Sequence, residues 1–235
     1  MIPHVIHYCW FGRGEKPKLA LKCIESWRKF FPDYEIKEWN EDNFDVNIIP
    51  YTAQAYERRK YAFVSDYARF WILYHHGGLY FDTDVEVIRS MDDIVERGPF
   101  MGIEVSEAAR FGVNPGLGLG TTAGMELYRD VLEHYASERF VDDEGKITGG
   151  TVVSHTTSVL IANGLQVCDE MQQVAGVWIY PQDYFNPYRY TIDRLEVTDR
   201  TRTIHWYGAS WISPWGLLRL RVGTIVRKWL HRLKG

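Results

Sequence analysis

Gly77-Gly78-Leu79-Tyr80-Phe81-Asp82-Thr83-Asp84-Val85-Glu86-Val87 constrains this chain more than any other stretch. Two glycines end a helical run, three apolar residues make a short buried strand, and two carboxylates stand where that strand runs out. In an open α/β sheet, ligands collect in the crevice beyond the carboxyl ends of the strands. Asp82 and Asp84 are two apart, so on a regular strand both lean to one side. Paired hard oxygens there suit a divalent cation, Mn²⁺ or Mg²⁺, that a ligand's phosphates also hold. Asp-x-Asp in isolation is equally a solvated turn, so the neighbouring residues decide.

The chain before that stretch reads as a nucleotide-binding βα opening. A strand over Val5 to Trp10 runs into Phe11-Gly12-Arg13-Gly14 and then a helix over Leu19 to Phe31. This is not GxGxxG, so it carries no dinucleotide fingerprint. Trp10, at the strand's end, is either core or a stacking platform for a base. Leu21, Ile24, Trp27 and Phe31 recur at helical spacing and stop before Pro32. Tyr34 to Trp39 reads as a second strand, and Asn40 to Asn43 as a polar turn. One long helix is expected over Ala53 to His76, with Phe63, Tyr67, Phe70 and Tyr74 as its core stripe. Asp66 and Arg69 lie three apart on an adjoining face, the spacing of a surface ion pair. They sit among Ala62, Phe63, Val64, Tyr67, Ala68 and Phe70, however, and a charged pair in so apolar a helix points to function.

Beyond the acidic pair, strands are expected over Val85 to Ile88, Phe100 to Val105 (with Glu104 near its end), Val177 to Tyr180 and Arg202 to Tyr207. Asn114 to Gly120 reads as a glycine-rich loop before a helix near Ala123, and it lacks the Gly-Lys-Ser/Thr of a nucleoside-triphosphate loop. Thr151 to Ala162 reads as a helix. No repeat or linker interrupts the chain, so residues 1–213 are expected to form one α/β domain.

Composition narrows the partners. A net charge of −4 argues against nucleic acid. Three cysteines without CxxC spacing suggest neither disulfides nor a zinc site. Nothing in the first ten residues reads as a secretory leader, and no apolar run approaches the roughly 18 residues of a membrane span. The expected location is the cytoplasm, or the inner face of the cell membrane as a peripheral protein. From Pro214 onward there is no Asp or Glu, while Arg219, Arg221, Arg227, Lys228, Arg232 and Lys234 carry positive charge. With Leu218, Val222, Ile225, Trp229 and Leu233 at helical spacing, residues 214–235 read as a basic amphipathic helix for an anionic membrane surface. Packing of its apolar side on the domain is the alternative.

Four motifs in order carry a resemblance: Ile6-His7-Tyr8-Cys9-Trp10-Phe11-Gly12, Ser65-Asp66-Tyr67-Ala68-Arg69, Gly77 through Asp84, and His205-Trp206-Tyr207-Gly208-Ala209-Ser210-Trp211. Together they resemble the DXD-containing sugar transferases. That group includes the bacterial capsular and lipopolysaccharide glycosyltransferases related to the yeast initiating mannosyltransferase and, more distantly, the glucosylating domain of the large clostridial toxins. The resemblance implies a GT-A fold, a Rossmann-like mixed central sheet flanked by helices. It also implies a divalent cation, a nucleotide-sugar donor such as a UDP-sugar (GDP-mannose in the yeast relatives), retention of configuration, and an oligosaccharide or lipid-linked acceptor. By position, Trp10 would stack on the base, and Asp66 and Arg69 would meet the donor sugar or phosphate. Tyr80 falls among the donor-binding residues. Asp82 would meet ribose or metal, Asp84 metal and diphosphate. His205 would complete the metal shell, with Ser210 and Trp211 on the phosphates.

Three other readings compete. A haloacid-dehalogenase-type hydrolase also begins strand-Asp-x-Asp, but usually continues with glycine, where this chain has Val85. A glycosidase would set two carboxylates across a bond, which leaves the C-terminal motif unexplained. As a calcium-binding module, an EF-hand loop begun at Asp82 needs glycine at position 87, which is Val87.

Overall fold

The computed structural model describes residues 1–105, 111–148, 150–189 and 193–208. Ser210, Trp211 and the expected helix over 214–235 lie outside the described residues. In chain order the elements are β1 (Val5–Cys9), α1 (Lys18–Phe30), β2 (Glu35–Trp39), α2 (Pro50–Glu57), α3 (Tyr61–His76), β3 (Gly78–Tyr80), β4 (Val85–Val87), α4 (Asp92–Arg97), β5 (Phe100–Glu104), β6 (Gly112–Asn114) and β7 (Leu119–Thr121). They continue with α5 (Glu126–Ser137), α6 (Val152–Ala162), β8 (Gln172–Val174), β9 (Val177–Tyr180), α7 (Gln182–Phe185), β10 (Tyr188–Arg189), β11 (Arg194–Leu195) and β12 (Thr203–His205).

The central sheet has the order β2-β1-β3-β7-β5-β9-β8, with β6 hairpinned onto β5. β1 is parallel to β2 and β3, β7 is antiparallel to both β3 and β5, and β9 is parallel to β5. β6, β7 and β8 run against the rest, which leaves β1, β2, β3, β5 and β9 pointing the same way, with their carboxyl ends along one edge. A second, two-stranded ladder pairs β4 with β12, Val85 opposite His205. That register delivers His205 to the residue after Asp84.

Each face of the central sheet is packed with aromatic residues. On one face, α3, α5 and their neighbours bury Tyr51, Phe70, Tyr128 and Tyr135. On the other, α1 buries Ala20, Cys23, Ile24 and Trp27, a spacing that keeps one helical side inward. Trp27 is fully buried, and its Nε1 donates to the Val85 carbonyl at 2.8 Å, fastening the strand after the acidic pair to α1. Leu21, expected in that stripe, is instead 54% exposed.

The expected single helix over Ala53 to His76 is two helices. Arg59 takes a left-handed φ of 55°, Arg59 N–H donates to Tyr56 O and Lys60 N–H to Ala55 O. This is the paired 6→1 and 5→2 closure of a Schellman cap, here built without glycine. The glycine-rich stretch also differs from the expected loop, because Leu119–Thr121 forms β7 in the sheet centre. A Cβ on Gly120 would stand 2.2 Å from the Phe100 ring, so a glycine is needed for the ring to pack there.

Candidate active site

The site forms where β3 ends. His7 and the glycine pair set that point. α3 closes on Gly77 with φ 65°, Gly78 follows at 100°, and His7 Nε2 donates to Gly77 O at 3.0 Å. A Cβ on Gly78 would come within 2.7 Å of Val5 O, so β3 lies against β1 as only glycine allows. The strand then stops and Asp82 opens a turn, its carbonyl accepting from Val85 N–H at 3.0 Å.

The acidic pair does not share partners. Asp82 faces α3: Arg69 Nη1 donates to its Oδ2 at 3.3 Å and Tyr80 Oη to its Oδ1 at 3.1 Å. Asp84 faces β12: His205 Nε2 lies 3.2 Å from its Oδ1, and Gly208 N–H donates to its Oδ2 at 2.7 Å. Both carboxylates keep an open side, at 29% and 21% side-chain exposure, while Arg69 is 3% exposed. Arg69 is thus a buried fork that supports the site from behind. Its Nη2 donates to Asp66 Oδ1 at 2.7 Å, its Nε to Ser65 O at 3.2 Å, and it lies over the Tyr80 ring at 5.0 Å. The i,i+3 spacing of Asp66 and Arg69 marks a buried, shared pair and not a solvated one. Tyr80, expected among donor-binding residues, is 1% exposed and its hydroxyl is committed to Asp82.

Charge follows geometry. Burial raises Asp66 above the usual carboxylate range against the pull of Arg69, and repulsion from Asp82 adds to the rise. Burial opposes the Arg69 charge, but Asp82, Tyr80 and Asp66 more than offset it, so Arg69 stays protonated. Asp82 is raised by burial first, against Arg69 and with Asp84 adding repulsion. For Asp84 burial pushes upward too, yet His205 and the Gly208 N–H outweigh it and hold the carboxyl below its ordinary value. His205 is buried, and Asp84 more than reverses the lowering that burial causes.

Asp82 and Asp84 each keep a partly exposed carboxylate, and beside Asp84 stands His205, whose Nε2 is paired with that carboxylate and whose Nδ1 is sealed from solvent without a partner among the described residues. Among the described residues no group of three His, Cys, Asp or Glu closes around a cation. The donors fit a hard ion that completes its shell with phosphate oxygens and water, as Mg²⁺ commonly does, and not an all-protein cage.

Trp10 stands at the carboxyl end of β1, half-buried, with Nε1 donating to Gly14 O at 2.6 Å and Lys16 Nζ 5.9 Å from the ring. Two further residues reach the site, Glu104 and Asn114, which sequence reasoning placed in the chain without a role. Asn114 Nδ2 donates to Glu104 Oε2 at 2.5 Å, and Asn114 Oδ1 accepts from Gly116 N–H at 2.7 Å. Gly116 lies against Asp82, whose Oδ2 is 2.1 Å from where a Cβ would stand. Glu104 at the end of an expected strand was the available signal.

Residues 17–101 match the family described as the glycosyltransferase sugar-binding region containing a DXD motif. The match takes in the acidic pair and α3, and spans a little over a third of the chain. The chain is 31% identical over 98 residues to inositol phosphoceramide mannosyltransferase 3 of Schizosaccharomyces pombe, covering 40% of this chain and 27% of that protein. It is 33% identical over 106 residues to an uncharacterized glycosyltransferase of Acanthamoeba polyphaga mimivirus, covering 43% and 42%. The chain thus spans well under half the length of these curated relatives. Among solved structures, PaToxG glycosyltransferase superposes with a TM-score of 0.50 at 18% identity, over 68% of this chain and 69% of that one. The fold is accordingly of GT-A type, a mixed central sheet flanked by helices.

Proposed function

We propose that this protein is a metal-dependent, retaining glycosyltransferase that moves a hexose from a nucleoside-diphosphate sugar to a hydroxyl of a glycan or lipid-linked glycan. The observation that carries the reading is one guanidinium, Arg69, shared by Asp66 and Asp82 beside the Asp84–His205 pair at the sheet's carboxyl edge. Breaking the anomeric C–O bond leaves growing negative charge on the diphosphate, and preorganised positive charge lowers that barrier. Arg69 supplies a permanent charge behind the site and fixes both carboxylates. Asp82, Asp84 and His205 would hold the divalent ion, which when bound supplies charge stabilisation to the leaving diphosphate. Trp10 would stack on the base, and the acceptor hydroxyl would attack from the face that the diphosphate leaves.

A UDP-sugar is the first donor to test. GDP-mannose is the second reading, favoured because two fission-yeast relatives are named inositol phosphoceramide mannosyltransferases. A place in surface-polysaccharide synthesis, capsular or lipopolysaccharide, follows if the acceptor is lipid-linked. The basic tail from Pro214 would then dock on the cytoplasmic face of the membrane. Among the described residues no helix is long and apolar enough to cross a membrane. Truncation after Trp215 should abolish salt-sensitive sedimentation with anionic liposomes. Equal recovery of both proteins in the supernatant would assign the tail to the domain instead.

The test of the main reading is a thermal-shift screen of UDP, GDP and their sugars with Mn²⁺. A ligand at 100 times its Kd should add about 2.7 kcal/mol of stability. No Mn²⁺-dependent shift with any of them would reject the reading.

A further inference from the structure

Glu104 ends β5 at the same sheet edge as Asp82. Phe100, Gly102 and Glu104 alternate onto one face of β5, and Asn114 pairs opposite Gly102. That diagonal lets Asn114 Nδ2 reach Glu104 Oε2 at 2.5 Å. The amide cannot be turned round, because Asn114 Oδ1 already accepts from Gly116 N–H at 2.7 Å. Asp82 Oδ2 and Asn114 Oδ1 converge on one point, 2.1 and 3.0 Å from where a Cβ on Gly116 would stand. Glu104 is therefore tied through a single turn to the acidic pair.

The same face looks toward β12. Phe185 fills the space beside Gly102, where a Cβ would be 2.6 Å from its ring, and its carbonyl accepts from Thr203 Oγ1 at 2.9 Å. Thr203 is two residues before His205 in β12. Glu104 is thus linked to Asp82 through Asn114 and Gly116, on the strand face that packs against the Phe185 held by Thr203 of β12. It is 8% exposed, and Oε1 has no partner among the described residues and is not sealed from solvent. A carboxylate oxygen held in place, with its mate clamped, is an acceptor for a hydroxyl donor. A phosphate there would meet like charge.

We propose that Glu104 Oε1 accepts a hydrogen bond from a hydroxyl of the sugar being transferred and so selects the donor. This rests on the transferase reading above. Neither the relatives' names nor the matched family region, which ends at residue 101, assigns the residue.

The experiment is calorimetric binding, with Mn²⁺, of UDP, UDP-glucose, GDP and GDP-mannose to the wild type and to Glu104→Gln, which keeps an acceptor for Asn114. The variant should bind the nucleoside diphosphates as the wild type does and bind the sugar nucleotide about tenfold more weakly. Among mono-deoxy versions of the better donor, one should bind both proteins equally, and it identifies the hydroxyl. Glu104→Asp, which withdraws the charge by one methylene, should give the same split and serves if Glu104→Gln does not fold. Equal loss for diphosphate and sugar nucleotide would make Glu104 a structural support and overturn the proposal. Wild-type affinity of both variants for the sugar nucleotide would overturn it too, with the transferase reading intact. A wild type that binds no nucleotide overturns both.

Discussion

His7 gives the site a pH dependence that can be worked from its contacts. It is 2% exposed, its Nε2 donates to Gly77 O at 3.0 Å, and its Nδ1 accepts from Trp39 Nε1–H at 3.0 Å. Both ring nitrogens are committed, and the pattern requires the neutral tautomer. A proton on Nδ1 would confront the Trp39 N–H. Burial, together with His76 from α3 and Lys37 from β2, lowers its pKa from 6.5 to about 4, although the Gly77 bond works in the opposite direction. Below pH 6.5 the unfolded chain takes up a proton at this residue that the folded chain refuses. Stability is therefore fully present above pH 6.5 and lost as pH falls toward 4. At about 1.4 kcal/mol per pH unit, the fall from 6.5 to 5 costs about 2 kcal/mol. Urea unfolding at pH 8, 7, 6 and 5 should show that loss on top of every other titrating group. His7→Gln, which keeps a donor toward Gly77 O and does not titrate in this range, should start lower at pH 8 and fall by about 2 kcal/mol less between pH 8 and 5. Identical losses in the two proteins would refute the assignment of a neutral, locked His7.

Three further outcomes follow from single contacts. Gly116→Ala places a methyl 2.1 Å from Asp82 Oδ2, the end of a movable side chain, so the fold should survive while Mn²⁺-dependent nucleotide binding weakens; matched Tm and Kd to wild type would contradict this. Arg69→Ala leaves buried Asp66 and half-buried Asp82 without their cation and should cost about 3–5 kcal/mol in urea unfolding, whereas a loss below about 1 kcal/mol would mean the pair is solvated. Trp10→Ala should weaken binding of free UDP or GDP by about 1–3 kcal/mol in calorimetry, and unchanged affinity would assign Trp10 to the core.

The sequence was most informative where a motif and its fold coincide. Gly77 and Gly78 take the positive φ that their identity suggests, and the acidic pair stands at the strand end as expected. Asp66 and Arg69 were legible as an oddity in an apolar helix, and burial explains the oddity. What could not be read depends on partners distant in sequence. The break after α2 is capped by Arg59 in a left-handed conformation, which no glycine announces. Gly116, Gly118 and Gly120 read as a loop, yet they make room for Asp82, Phe81 and Phe100. Glu104 becomes a site residue only through Asn114, ten positions away on the neighbouring strand.

Release of nucleoside diphosphate from UDP-glucose and GDP-mannose, with Mn²⁺ or with chelator, tests the central claim most directly when wild type is compared with Asp84→Asn. The account predicts metal-dependent release by the wild type, and in the variant a loss of at least about 2.7 kcal/mol of transition-state stabilisation, a hundredfold in rate, without loss of fold. Near-normal release by Asp84→Asn in the presence of chelator would contradict it.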